Sequence, residues 1–530
     1  MTKQQLEKQV KDLRARLFNA SAKKEMTEES LKDKIRTLEQ ELAEQAPTIE
    51  MLQKYIADRE RKIDELQAEN DALKKEGAVL AATVEKLKMH IKKLLARLKK
   101  DSSSSSKPPS TDVFHKPKPQ NLREKSGKKP GGQFGHPGHG LVPFANPDTV
   151  IEKKVEVCCE CGHGIINSQD FEAKQKIDIE IRTIVTEERV YEGVCVHCGK
   201  KVRGQFDAGF VNPTQYGDNI KAAVALLSEH GCVSVNKTAE IINSLSGGVL
   251  NLSWGTVVNM QRELSDKLED TINVIRTGLI AGSVLCADET GCRVNGGLGW
   301  IQVFCNDRFA LFGLNSKRGD VDEQFGILTF FLGILVHDHF VSYYQFENVS
   351  HVECNGHILR HLKGLIEIFK HEWLIAMSEL LKSACHRKNE LVAAGATQMP
   401  DEEITWFVTE YDRILEEGEK EYTAATDGDK KKESYHVDER RLLNRLHEYK
   451  EEHLRFLTDF RSPFTNNMAE RDVRKFKNKA KVSGCFRSAE GAQIYARIVS
   501  VITTLKKQNI NVFNGLRAVY SGQIPISSSP

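Results

Sequence analysis

Ile49, Leu52, Ile56, Ile63, Leu66, Leu73, Leu80, Val84, Leu87, Ile91, Leu94 and Leu98 fall on alternating steps of three and four and so share one heptad register. An apolar seam of that period is most simply buried along a second helix, so residues 1–100 are expected to form a coiled coil that joins two copies of the chain as a homodimer. Arg59, Asn70 and Gly77 interrupt the seam. A buried Asn at an a position fixes register and favours two parallel strands. Leu31, Ile35, Leu38 and Leu42 extend the pattern upstream, whereas Val10, Leu13 and Leu17 are out of phase with it. Pro47 is expected to kink or restart the helix. The same periodicity also fits an amphipathic helix folded back on its own domain.

The 530 residues exceed what one hydrophobic core organises, so about three or four domains at roughly 150 residues each are expected. A formal net charge of only +2 gives the whole molecule no bulk attraction for a polyanion. The charge is unevenly spread, however. Between Lys86 and Lys129 there are fourteen Lys or Arg against three acids, in a stretch that includes DSSSSSKPPSTD and HKPKPQNLREKSGKKPGGQFGHPGHG. Pro, Gly and Ser preclude a packed core there, so residues 101–149 read as a basic linker and arm, with Lys125, Lys128 and Lys129 as candidate DNA contacts. A merely solvated tail is the alternative. The opening MTKQQLEKQV lacks the apolar core of a signal peptide, and no run of about 18 apolar residues occurs. The expectation is a cytoplasmic, DNA-associated protein with no membrane partner.

Twelve Cys in a long chain of this type argue against a disulfide framework. Four of them form two Cys-x-x-Cys-Gly knuckles, Cys158 with Cys161 and Cys195 with Cys198. The two-residue spacing turns both sulfurs toward one ion, and the following Gly tolerates a backbone that aims amides at the sulfurs. A structural Zn²⁺ site in a small β domain over residues 150–210 follows, with strands expected along KIDIEIRTIVTEERVYEGV. Cys159 breaks the spacing and is excluded. In residues 211–280, one amphipathic helix ends near Leu245, a Gly-containing turn follows, and Ser253 can cap a second helix. That is either a helix-turn-helix for DNA or an ordinary helical hairpin.

Further on, the apolar strand SVLCA ends at Asp288, two strand-like runs (GWIQVFCN and FALFGLN) follow, and DVDEQFGILTFF reads as helical. A second apolar run, GILV, then ends in His337-Asp338-His339. This β-β-β-α-β order is that of a ribonuclease H-like α/β domain, in which the two strands lie side by side and the acids at their ends can share metal ions. The first part spans residues 281–360. Residues 361–460 read as a helical insertion, and residues 461–530 return as the second part. There, Asn466 and Asn467 can cap a helix carrying Glu470, Arg471, Arg474 and Lys475. Carboxylates are hard oxygen ligands, and two Mg²⁺ ions about 3.5–4 Å apart can activate an attacking oxygen and stabilise the leaving one in phosphodiester chemistry.

At these residues the sequence resembles the DDE transposases of the insertion-sequence-66 family of bacterial mobile elements. The resemblance rests on the amino-terminal coiled coil, SSSSSKPPSTD, KKPGGQFGHPGHGL and the Cys knuckles. It also rests on Asp288-Glu289-Thr290, Asp338 followed by Cys354-x-x-His357, and Asn466-Asn467-x-Ala469-Glu470-Arg471. It implies a multidomain α+β enzyme, bacterial or archaeal, with Asp288, Asp338 and Glu470 as catalytic ligands of Mg²⁺ or Mn²⁺. It also implies cleavage and strand transfer of the element's ends into target DNA, with accessory proteins encoded by the element as candidate partners. His357 and Arg360 match the family's Cys-x-x-His-x-x-Arg pattern and, with Asn467, Arg471, Arg474 and Lys475, are candidate DNA contacts. Cys354 and His357 as core residues, and His337 and His339 as zinc ligands, are the competing readings. At the second acid the chain has Asp338-His339-Phe340 where the family often has an Asp-Gly-Tyr-like run, and residues 399–455 are unusually charged. A non-catalytic DNA-binding regulator or domesticated relative, and a nuclease that only cuts, are the alternative functions.

Overall fold

The structure is a computed structural model that describes residues 3–20, 28–98, 135, 141–167 and 169–528. It divides into two units, Met1–Leu98 and Lys99–Pro530. In the first, helix α1 (Lys3–Ala20) packs on the 71-residue helix α2 (Glu28–Leu98). Leu6 and Leu31 are buried, and Arg14 pairs with Glu39 at 2.7 Å. Pro47 does not end α2, contrary to the sequence expectation of a restart. The lost donor and the ring's clash with the preceding turn cost about 3 kcal/mol or more, which the rest of so long a helix offsets. Along α2, Ile56, Leu66, Leu73, Leu80, Val84, Leu87 and Ile91 of the heptad seam stand exposed.

In the second unit, described residues 141–167 and 169–191 are largely extended chain, with one turn between Cys158 and Cys161 and another between Cys195 and Cys198. Short strands β1 (Glu192–Val194) and β2 (Lys201–Arg203) pair antiparallel around one of them. The longer strands expected along residues 176–194 do not form before Glu192. Their alternating Ile177, Ile179, Ile181 and Val185 are exposed, and among the described residues none of them joins a strand ladder. Helices α3 (Asp218–Ala225), α4 (Val235–Leu245), α5 (Trp254–Lys267) and α6 (Glu269–Ile280) follow. As expected, Ser253 caps α5, accepting from the Thr256 N–H at 3.1 Å. The turn between α4 and α5 is fixed by the Asn243 amide, which bonds both backbone groups of Leu252 at 2.8 and 3.1 Å. Val224, Ala239, Ile242, Leu252, Val257 and Met260 form a small core there.

A five-stranded sheet comes next, built from β3 (Val284–Val294), β4 (Gly297–Cys305), β5 (Ala310–Asn315), β6 (Ile334–His337) and β7 (Ser350–Glu353). Its order is β5-β4-β3-β6-β7. The first three strands are antiparallel, whereas β6 runs parallel to both β3 and β7. Strand β3 does not stop at Asp288 as its apolar run suggests. It continues to Val294 because the tight turn at Asn295 and Gly296, both with positive φ, returns β4 as its partner from Val294 back to Cys286. The stretch expected to be helical at residues 320–331 is instead a series of turns. There the Asp322 carboxylate accepts the amides of Ile327, Leu328 and Thr329, which competes with helix formation.

Helices α7 (Asn355–Phe369), α8 (Glu372–Ala393), α9 (Asp401–Thr426), α10 (Lys430–Tyr435), α11 (Val437–Glu448) and α12 (Lys450–Thr458) then intervene. They share a core of their own around Trp373, Met377, Tyr411, Leu443 and Phe456. Helices α13 (Asn467–Ser483), α14 (Ala489–Lys507) and α15 (Val512–Tyr520) complete the chain. Alternation along the strands sorts the sheet's two faces. Leu285, Ala287 and Leu335 join the core that contains Ile272, Ile275 and Ile502. Cys286, Val303, Ile334 and Val336 join the one containing Ala469, Val473 and Phe476 of α13. Burying Val473 and Phe476 contributes about 1.5–3 kcal/mol each, and this fixes α13 on that face.

Candidate active site

The register Cys286↔Val336 between parallel β3 and β6, carried two residues on, sets Asp288 opposite Asp338. Both have the side-chain parity of Cys286 and Val336, the face that α13 covers. Helix α13 is docked next to them by Asn466, whose Nδ2 donates to the Ala287 carbonyl at 2.7 Å. That bond replaces the side-chain cap expected of Asn466, since α13 starts at this residue without a side-chain cap hydrogen bond. Glu470 stands one turn further along.

The electrostatics register how close the acids lie. Burial, followed by the negative charges of Glu289, Asp338 and Glu470, pushes the Asp288 carboxyl well above the usual carboxylate range. Asp338 is also raised by burial, against the pull of Arg318 and Arg445. Glu289 is pushed up to about 7 by burial and by Asp338, although Arg318 opposes it. Acids that raise one another in this way form a site short of positive charge, which suits a hard divalent cation.

Basic groups hold the acids from the side. Arg318 lies 2.5 Å from Glu289 and 3.9 Å from Asp338, with its guanidinium 4.2 Å over the Phe340 ring. Arg360 is 3.3 Å, Arg474 3.9 Å and His357 Nε2 4.0 Å from Glu470. Burial, then Arg360, drives the His357 pKa well below its ordinary value, and burial pushes the Cys354 thiol up to about 11. Asn467 and Arg471 are exposed at the start of α13. Lys475 is directed inward, 3.0 Å from Asp472 and 2.7 Å from the Thr503 hydroxyl. Lys125, Lys128 and Lys129 lie outside the described residues.

The flanks of Asp338 form a network that single-sequence reading missed. His337 is fully buried, its pKa pushed down to about 3 by burial, and it contacts His351 at 3.0 Å. His339 bonds Glu353, the last residue of β7. Tyr344, Arg445 and His453 converge on the same carboxylate. Burial alone would raise the pKa of Glu353, yet the bonds from His339 and His453 and the Arg445 guanidinium hold it well below the usual range. Arg445 and His453 are 92 and 100 residues away in sequence, with no local spacing to betray them. Arg318, in the turn after β5, is another partner that only the fold reveals.

The two cysteine knuckles repeat one backbone geometry. The Gly162 and Gly199 N–H groups donate to the Cys158 and Cys195 carbonyls at 2.9 and 2.8 Å, and both glycines have positive φ. The Cys158 thiol is held below its ordinary pKa by the amides of Cys161 and Glu160, and that of Cys195 by the amides of Cys198 and His197. Amides aimed at sulfur suit a thiolate bound to metal. Among the described residues, three or more metal-capable side chains bring donor atoms within 4.8 Å of one another at Cys354, His357 and Glu470 and at His371, His436 and Glu439. The knuckles do not bring three sulfurs that close.

No helix among the described residues is long and apolar enough to cross a membrane. Among curated proteins, none matches the chain. A model of a family of unknown function matches residues 56–141, the second half of α2 and the segment after it. The family model described as Transposase IS66 family matches residues 213–494, from just before α3 into α14 and through all three acids. With more than half of its length matched, the chain belongs to the IS66 family of transposases.

Proposed function

We propose that this transposase binds the ends of its mobile element and cuts and joins DNA at Asp288, Asp338 and Glu470. The observation that carries this reading is the β3–β6 register, which sets two acids side by side on the face where α13 brings the third. The sheet order and strand directions support a ribonuclease H-like catalytic core, with α7–α12 as an insertion between β7 and α13. The three carboxylates would hold Mg²⁺ or Mn²⁺. Bound there, such ions would supply an activated attacking oxygen and neutralise charge on the leaving one. Arg318 restrains Asp338 by charge, and Arg360, Arg474 and His357 border Glu470, where they can meet backbone phosphates together with the exposed Asn467 and Arg471. The inward Lys475 supports α13 rather than DNA.

Within this reading, α4 and α5 form the DNA-reading helix pair and the basic arm adds sequence-independent affinity. Cys158, Cys161, Cys195 and Cys198 hold one structural Zn²⁺. The exposed α2 seam pairs with a second copy. Purified protein incubated with Mn²⁺ or Mg²⁺ and element-end DNA tests the chemistry. Joined products are expected, reduced on the order of a thousandfold by Asp338→Asn, since a bound cation contributes several kcal/mol to the transition state. Cleavage without joining would leave a nuclease, and binding without either a DNA-binding regulator.

A further inference from the structure

Among the described residues, two clusters of metal-capable side chains lie outside the knuckles, and their spacing separates them. At His371, His436 and Glu439 the two imidazole Nδ1 atoms lie 2.7 and 2.6 Å from the carboxylate oxygens, and the Trp373 indole N–H donates to the same group at 2.9 Å. Those are hydrogen-bond lengths, and the carboxylate is satisfied without an ion.

Cys354, His357 and Glu470 differ. His357 Nε2 and Glu470 Oε1 are 4.0 Å apart, too far for a hydrogen bond. Around one tetrahedral zinc, neighbouring donors lie about 3.3–3.6 Å apart, given metal–ligand bonds of about 2.0–2.3 Å. All three donor atoms fall within 4.8 Å of one another, so a small contraction would close them on an ion. His357 Nδ1, the ring nitrogen not measured against Glu470, is buried with no hydrogen-bond partner, so the ring is not committed there to another group of the protein. The Cys354 sulfur accepts the Asn466 N–H at 3.1 Å, the bond that metal-bound thiolates receive. Cys354 precedes α7 and His357 is in its first turn, three positions on, which sets both on one side. Arg360 reaches Glu470 at 3.3 Å, longer than the roughly 2.7–2.9 Å of a tight charge-assisted bond.

We infer that Cys354, His357 and Glu470 form a second zinc-class site with one open position, built on the carboxylate that completes the acid triad. A thiolate, an imidazole and a carboxylate select a borderline cation such as Zn²⁺ over Mg²⁺, whereas Asp288 and Asp338 offer only hard oxygen. One carboxylate then serves two metal preferences. Zinc bound here draws Glu470 away from the triad, so Zn²⁺ and Mg²⁺ bind antagonistically. That consequence, unlike the site itself, rests on the proposed catalytic reading.

The full chain, loaded with Zn²⁺ and freed of excess, tests this by counting metal with mass spectrometry. Cys354→Ser and His357→Gln should each lower the count by one zinc per chain, and Asp288→Asn should leave it unchanged. A count that stays the same in both of the first two variants overturns the site. X-ray absorption at the zinc edge of the unsubstituted chain needs no variant. Nitrogen and oxygen scatterers must accompany sulfur, and an all-sulfur shell overturns the inference. If Mg²⁺-dependent joining fails while the zinc count behaves as stated, the catalytic reading falls and the zinc site stands.

Discussion

Arg445, on α11, lays its Nε and Nη2 2.8 and 2.5 Å from one oxygen of Glu353 at the end of β7, with both side chains buried. His339, next to Asp338, bonds the other oxygen of that carboxylate. A helix far along the chain is thereby tied to the loop that carries the second acid.

Removing Arg445 leaves the buried Glu353 carboxylate without its guanidinium, with only the bonds from Tyr344, His339 and His453. Arg445→Met is expected to destabilise the protein by about 3–5 kcal/mol, read from urea unfolding. The double variant Glu353→Gln, Arg445→Met should lose less than that single one. A larger loss in the double variant would show that the pair is not the unit holding this junction.

Acid sensitivity follows from the same carboxylate. An unfolded Glu titrates near about 4.3, and folded Glu353 lies well below. Its stabilisation is therefore complete above the unfolded value and is lost as pH falls below it toward the folded pKa. Between about pH 5 and 3 the native chain should lose more stability than the double variant. Parallel stability curves would remove Glu353 as the cause.

Divalent cation should relieve the mutual repulsion of the acids. At a hundred times its dissociation constant, Mg²⁺ is expected to add about 2.7 kcal/mol of stability. Thermal melts check this, and Asp288→Asn should abolish the gain. An equal gain in that variant places the cation elsewhere.

For the knuckles, a Cys195→Ser, Cys198→Ser variant should bind one fewer zinc per chain. Unchanged zinc content would mean that the two turns, despite their matching backbones, do not share an ion.

Removing the residues before Lys100 tests the exposed seam of α2. Light scattering should then report half the number of chains per particle, and an unchanged number would end the coiled-coil assignment.

The reach of the sequence differs from feature to feature. The heptads, the Cys-x-x-Cys-Gly repeats, the Ser253 cap and the apolar runs before Asp288 and Asp338 are local patterns, whose period or spacing states what the backbone will do. Where a non-local partner decided, local pattern misled. Strand β3 ran on past Asp288 because β4 paired with it, Ile177 to Val185 stayed out of strands for want of a neighbour, and Asp322 turned an apparent helix into turns. Lys475, a candidate DNA contact by its place on α13, is paired with Asp472 and Thr503, partners that its position on the helix alone does not name.

By itself, then, the sequence determined most of the helices and strands, the three acids as candidates and the spacing of the cysteine knuckles, because each is written in residue identity at short range. Only the tertiary structure decided which groups surround those acids. Arg318 meets Glu289 across 29 residues, Arg445 meets Glu353 across 92 and Arg360 meets Glu470 across 110, all through sheet register and helix docking that leave no periodicity to read.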